Sequence, residues 1–401
     1  ADSPMRMQSR IEYMEAEPSE KTAPRPGLRG TDLTTGSVPR HLVMFSVPML
    51  LGSALQTAYN IVNALWVGRG LGPEAMVAVG VSMPVFFLLF AVANGLTLAS
   101  NVLVSQSYGA KDWDGLHRVV QNSMVLTVVV SLGCWGFGHL SAEVILRSMR
   151  TPDDVFDMAV GYFRILMWTT PLMFGFHFLA SVLRGVGDSK TPLYFQLVAL
   201  AATAVLDPIL MFGLLGSPRF GVNGTAYATI VAHVGALLGL AAYMARRNHV
   251  AAPDWRRLRV DGPTTYRTVM IGIPSMGQQA FVSFGFMFIM GMVNHYGTHT
   301  AAAYTIAMRI DQVAFMPPMT IGMAVSTLAG QNIGARRFDR VHEVFRWGVA
   351  LGTALTLVGT VLAVAFPDFL MSLFSKDADV IAAGSRYLRT IGPGYLLFAV
   401  M

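Results

Sequence analysis

The sequence predicts an all-α, polytopic membrane protein of two homologous six-helix halves, the second incomplete, so that about ten of twelve spanning helices are present. Three observations predict it. The composition is 53% hydrophobic and only 13% charged, with a mean hydropathy of +0.51. Residues 75–110 and 268–308 carry no charged side chain, and each run exceeds the roughly 20 apolar residues that cross a bilayer. A soluble helix of that length would need a polar face, which these lack. Finally, the chain repeats itself. Gln106, Gly109, Ala110, Lys111, Asp114, His117 and Val119 return 225 positions later as Gln331, Gly334, Ala335, Arg336, Asp339, His342 and Val344. Asp154, Val155, Tyr162 and Arg164 return at the same offset as Asp379, Val380, Tyr387 and Arg389.

Residues 1–40 are rich in Pro, Glu, Ser and Arg and contain no apolar run. Such a segment cannot offset the entropy of ordering and is expected to be a flexible tail. It also lacks the basic start, short apolar core and small-residue cleavage site of a signal peptide. Charged or turn-forming breaks then divide the chain into spans at about 42–67, 75–106, 118–139, 159–183, 191–213, 222–245, 267–293, 300–330, 342–366 and 383–401. Residues 41–245 form the first half, 246–266 a basic linker and 267–401 the second half. Six spans per half is even, so both halves enter the membrane in the same sense and are expected to be related by an axis along the membrane normal. Residue 401 corresponds to residue 176, so a native chain is expected to run on by about 70 residues, the rest of one span and two more.

Loops after even-numbered spans hold thirteen Lys and Arg residues, those after odd-numbered spans five. The bias places the even loops and the N-terminus in the cytoplasm; the expected location is a plasma membrane, the bacterial inner membrane. The bases are spread over loops without interleaved aromatics, which argues against nucleic acid as a partner. There is no Walker loop, so ATP-driven export by this chain alone is disfavoured, and no soluble-enzyme signature is visible. Cys134 is alone, and no cofactor or metal is expected.

An ionisable residue inside a span is costly and is a functional candidate by default. Asp207 in the fifth span and Asp311 in the eighth are the conspicuous acids. Asp207 precedes Pro208, whose ring frees a carbonyl one turn back, a pairing suited to a proton or sodium site; a purely structural hydrogen bond to a neighbouring helix is the plainer reading. Candidate partners for Asp207 are Asn63, Asn60, and Thr225 or Thr229, four apart on one helix face. Met287 and Met290 belong to a cluster of methionines and phenylalanines around the seventh and eighth spans. Soft side chains repack around ligands of varied shape, although lipid packing explains most of them. Arg309 lies two positions before Asp311 and so does not face it. His177 and His233 are single intramembrane imidazoles at no metal-ligand spacing.

Several separated motifs resemble the multidrug and toxic compound extrusion (MATE) transporters. They are Pro48-Met49, the stretch Tyr59 to Arg69, the two Gln-x-x-Gly-Ala elements, Leu183 to Pro192, Leu206-Asp207-Pro208 and Gly221 to Thr229. The resemblance covers residues 40–401 nearly continuously. It implies two six-helix lobes forming a V around a central cavity, and export of amphipathic, often cationic, organic compounds by a monomer in exchange for H⁺ or Na⁺. It also implies that Asp207 couples to the cation and that Pro48 lets the first helix bend, a static kink being the alternative. Where several branches of the family have an Asp on the first helix this chain has Asn63, which hydrogen-bonds but does not titrate. Thr203 stands where Asn is frequent. Tyr59, Gln278, Gln279, Met287, Met290 and Asp311 are the expected substrate-cavity residues; no Glu accompanies the two glutamines, which lowers one sodium-coupled mechanism. A lipid-linked saccharide flippase and a non-transporting membrane scaffold are the competing readings. A flippase should have a strongly basic cavity, and a scaffold would have no use for a lone acid beside a proline.

Overall fold

The structure is a computed structural model, and it describes residues 30–149, 151–253, 260–294, 296, 298–375 and 377–398. Among these, every regular element is a helix. In chain order they are α1 (Val38–Gly70), α2 (Pro73–Gly80), α3 (Met83–Gly109), α4 (Trp113–Leu140), α5 (Ala142–Ser148), α6 (Asp153–Met167), α7 (Thr169–Gly185), α8 (Lys190–Phe212) and α9 (Asn223–Arg246) in the first lobe. The second lobe holds α10 (Gly262–Asn294), α11 (Thr298–Gly334), α12 (Phe338–Ala365), α13 (Pro367–Ser372), α14 (Ala378–Ile391) and α15 (Tyr395–Phe398).

Eight helical stretches among the described residues are long and apolar enough to cross a membrane, and they coincide with the expected first six, eighth and ninth spans. The seventh lies within α10, a single helix of 33 residues. The tenth is shorter than expected: α14 has 14 residues and ends at a 3-10 turn, Gly392–Gly394. The second span breaks at Val81-Ser82, where Pro84 restarts the helix as α3, and the fourth at Trp168, shortly before Pro171. Much of the outer surface is apolar, with Phe87, Val129, Val198 and Leu238 exposed. Lipid is the solvent for such a surface.

The basic loops gather at one end of the bundle, where the two halves meet. Helices α3 and α11 both end there, and their last turns pack against each other. Gly109 lies against the carbonyl of Gln331, and Gly334, its repeat equivalent, lies against the carbonyl of Gln106. A Cβ at either position would collide with backbone, so this approach requires glycine. Exchange of equivalent contacts is the mark of a two-fold relation. The axis itself passes between Ser105 and Gly330, because these repeat-equivalent residues touch one another. The contact continues back along both helices, where Thr327 donates to Asn101 at 3.1 Å, so paired positions advance in step. The two helices therefore run in the same direction, the repeats are parallel and the axis follows the helices. Backbone detail repeats as well. Lys111 and Arg336, equivalent residues just past these helix ends, both adopt φ of 57°. At the opposite end, Arg164 pairs with Glu143 at 2.9 Å and Arg389 with Asp368 at 3.3 Å, again at the offset of 225.

Helix α1 belongs to both lobes. Its first third, with Val38, Leu42 and Phe45, packs on Ala324 and Leu328 of α11 and Val344 of α12. Its last third, with Val67, packs on Met211 and Ala226 of the first lobe. Pro48 is buried between the two, inside an unbroken helix.

The expectation of a flexible tail through residue 40 is corrected at its end. Residues 30–37 are seated against both lobes and α1 begins at Val38, because Leu33 and Val38 bury completely or nearly so and side chains of α11 satisfy the local backbone. Residues 1–29, and Arg256, Arg257 and Arg259 of the basic linker, lie outside the described residues.

Candidate functional site

Asp207 sits in the last third of α8 and is 0% exposed. Its Oδ2 accepts two hydrogen bonds from α1, from Asn63 Nδ2 at 2.8 Å and the Tyr59 hydroxyl at 3.0 Å. Tyr59 and Asn63 are four residues apart and therefore share a helix face, and their own groups stand 3.4 Å apart. The second oxygen, Oδ1, is buried without a hydrogen-bond partner among the described residues. No Lys or Arg pairs with Asp207 among them either.

Helix α9 closes the site from behind. Thr229 donates to the Thr225 carbonyl at 2.8 Å and its hydroxyl also meets that of Tyr59. Thr225, buried at 3% exposure, donates to the Val222 carbonyl and meets the hydroxyl of Tyr162 on α6. Thus Asn63 is brought to Asp207 as expected from the sequence, whereas Thr225 and Thr229 bond their own helix and reach the acid only through Tyr162 and Tyr59; Tyr59, expected at the substrate cavity, is bonded to the acid itself. Asn60 is not brought there. It is exposed and its Oδ1 accepts from Gln56 at 3.3 Å, because one residue of helix rotation from Tyr59 turns it away. Thr203 bonds its own helix at the Ala199 carbonyl, 2.8 Å away.

Asp311 is not at an open cavity. It is 4% exposed inside the second lobe, where Tyr387 donates to Oδ2 at 2.8 Å and Tyr395 donates to Oδ1. Tyr304 packs edge-on to Tyr387, with ring centroids 5.4 Å apart. A carboxylate with each oxygen held by a hydroxyl is a satisfied group. Arg309, two residues before it, faces outward. On α10, Gln278 is exposed and Gln279 and Met290 are half-buried, whereas the side chain of Met287 lies outside the described residues.

Tyr162, Tyr387 and Tyr395 have no site role in the sequence reading. The available signal is the repeat itself: Tyr162 and Tyr387 are equivalent positions, and each stands beside the buried acid of its own lobe.

Sequence and fold comparisons agree on the family. The MatE family model matches residues 48–209 and 274–401, and the chain belongs to this family. It is 34% identical over 365 residues to the probable multidrug resistance protein YoeA of Bacillus subtilis, covering 90% of this chain and 79% of that one. It is 32% identical to YpnP of the same organism, over 93% and 82% of the two chains. The structure superposes on an outward-facing multidrug resistance MATE family transporter with a TM-score of 0.86 at 24% identity, covering 93% of this chain and 82% of that one. It also superposes on a MATE protein crystallised in a straight conformation with a TM-score of 0.84 at 25% identity, over 93% and 84% of the chains.

Proposed function

We propose that this protein exports amphipathic organic cations across the bacterial plasma membrane by alternating access, and that inward movement of H⁺ or Na⁺ at Asp207 drives the exchange. One observation carries the reading: a buried carboxylate is held on one oxygen by neutral donors only, while its other oxygen has no partner among the described residues. An unpaired charge in that setting is expensive, and a proton or a monovalent cation neutralises it. Arg or Lys would neutralise it permanently; a tyrosine and an amide leave it free to change state.

The geometry also supplies a route from that event to the rest of the molecule. Neutralising Asp207 weakens the bonds from Tyr59 and Asn63, both on α1. The other end of α1 is packed on the second lobe, with Pro48 between. A proline costs the helix a hydrogen bond and eases bending there, so α1 can report occupancy of Asp207 at the seam between lobes. The basic end is the cytoplasmic side by loop charge. The seam there is closed, which supports reading this as an outward-facing arrangement.

The experiment is drug accumulation in everted vesicles from cells that make the protein. Respiring vesicles accumulate the drug, and accumulation collapses on adding a protonophore or on removing sodium, according to the coupling ion. Accumulation driven by ATP with both ion gradients dissipated would refute the coupling.

A further inference from the structure

Residues 30–37 cross the seam between the lobes at the basic end and are gripped from both sides. From the second lobe, Gln331 Oε1 accepts from the Leu33 N–H at 3.0 Å, Asn332 Nδ2 donates to the Leu33 carbonyl at 3.4 Å, and Arg337 Nη1 donates to the Thr34 carbonyl at 2.8 Å. The Leu33 side chain is 3% exposed, in the apolar cluster that α1 forms with α11 and α12. From the first lobe, Gly187 in the turn after α7, with φ of +88°, lies against the Thr31 carbonyl, and Val186 lies against Gly30. Gln331 ties all three pieces together, since its Nε2 donates to the Gly185 carbonyl of the first lobe at 3.0 Å.

The internal repeat provides a control. Positions 331, 332 and 337 correspond to Gln106, Ser107 and Asp112 in the first lobe. Asp112 does local work, capping α4 by accepting from the Gly115 N–H at 2.8 Å. Arg337 has no acceptor and cannot cap α12; its guanidinium goes to the Thr34 carbonyl instead. The second lobe thus keeps the glutamine of its repeat and departs from it at the other two positions, Asn332 and Arg337, which hold the carbonyls of residues 33 and 34.

We propose that residues 30–37 are a strap that latches the basic ends of the two lobes together, and that it must leave the seam before the central space opens on that side. The proposal rests on the alternating-access reading above. The strap runs directly into α1, so the latch and the donors to Asp207 are the two ends of one 33-residue helix. Movement of α1 at Asp207 is therefore transmitted to the strap.

The test uses spin labels on the two basic ends, at Asp114→Cys and His342→Cys with Cys134→Ser, in the protein reconstituted in lipid nanodiscs. Inter-label distance distributions give the population with separated ends. Arg337→Ala and, independently, Leu33→Asn should raise that population at least about fivefold, with helicity and thermal midpoint showing that each variant is folded. Wild-type opening that neither substitution increases overturns the latch and leaves alternating access standing. Efflux by a wild-type protein whose basic ends never separate under protons, sodium or drug defeats alternating access instead; if the strap variants stay closed as well, the latch falls with it.

Discussion

The amide of Asn63 donates to Oδ2 of Asp207 at 2.8 Å, across the gap between α1 and α8. In several branches of the family this position is an Asp, and here the neighbour of the buried acid is an amide. The site therefore has one titratable carboxyl, supported by an amide and a phenol.

Asp207→Asn keeps the shape of the side chain and removes its ability to bind a proton or a cation. Coupled efflux in everted vesicles should fall to the level of empty membranes, while insertion and yield stay at wild-type levels. Full activity in this variant would move coupling to Asp311.

Asn63→Asp brings a second carboxyl within hydrogen-bond distance of the first. Two carboxyls so close titrate as one coupled system. The variant should transport, with a pH profile displaced from that of the wild type. An unchanged profile, measured in vesicles of fixed internal pH, would show that position 63 has no part in coupling.

Pro48→Ala restores a backbone N–H in α1, and a proline inside a helix costs about 3 kcal/mol. The variant should therefore melt no lower than the wild type and transport more slowly, by roughly tenfold if about 1.4 kcal/mol of bending is lost. Unchanged turnover would make the proline a static feature.

Asp32, on the strap and outside the membrane, sets the strap's response to pH. Burial pushes its carboxyl up, but hydrogen bonds from Thr34 and the charges of Lys111 and Arg337 outweigh that and hold it below its ordinary value of 3.8. A lowered carboxyl contributes stability that is fully present above the ordinary value and is lost only as pH falls through the lower one. Labelling of Leu33→Cys by a membrane-impermeant thiol reagent, taken relative to the labelling of an exposed cysteine at each pH to remove the change in thiolate fraction, should thus be constant from about pH 5 to about pH 8. Asp32→Asn should raise the labelling rate across that range.

Much of this arrangement is legible in the sequence, and the limits are instructive. The run lengths and the 225-residue offset gave the helices and the parallel halves, because membrane burial and duplication both leave one-dimensional signals. Asp207 stood out because a charge in an apolar span is rare, and Asn63 because it interrupts a motif. The tyrosines were harder to read. Tyr59, Tyr162 and Tyr387 are compatible with an apolar span, and only the structure shows which way their hydroxyls point. The strap was missed for the opposite reason. Eight residues with a single large buried side chain, Leu33, form no periodic pattern, and what holds them is backbone bonding to Gln331, Asn332 and Arg337, three hundred residues away.

Asp311 and Tyr395 give the last prediction. Both carboxylate oxygens of Asp311 are held by tyrosine hydroxyls, from Tyr387 and Tyr395, and the group lies among helices of a single lobe. If the cluster is structural, its loss is felt in stability: Tyr395→Phe leaves one buried carboxylate oxygen without its donor, at a cost of about 1–3 kcal/mol. The thermal midpoint in detergent should fall, while efflux per folded molecule stays within about twofold of wild type, because Asp207 retains its own donors. Tyr387→Phe should behave alike, and the double variant should cost less than the sum of the two, since both bonds serve one carboxylate. Undiminished stability with lost transport in either variant would reverse the assignment and make the second lobe's acid a partner of Asp207 in coupling.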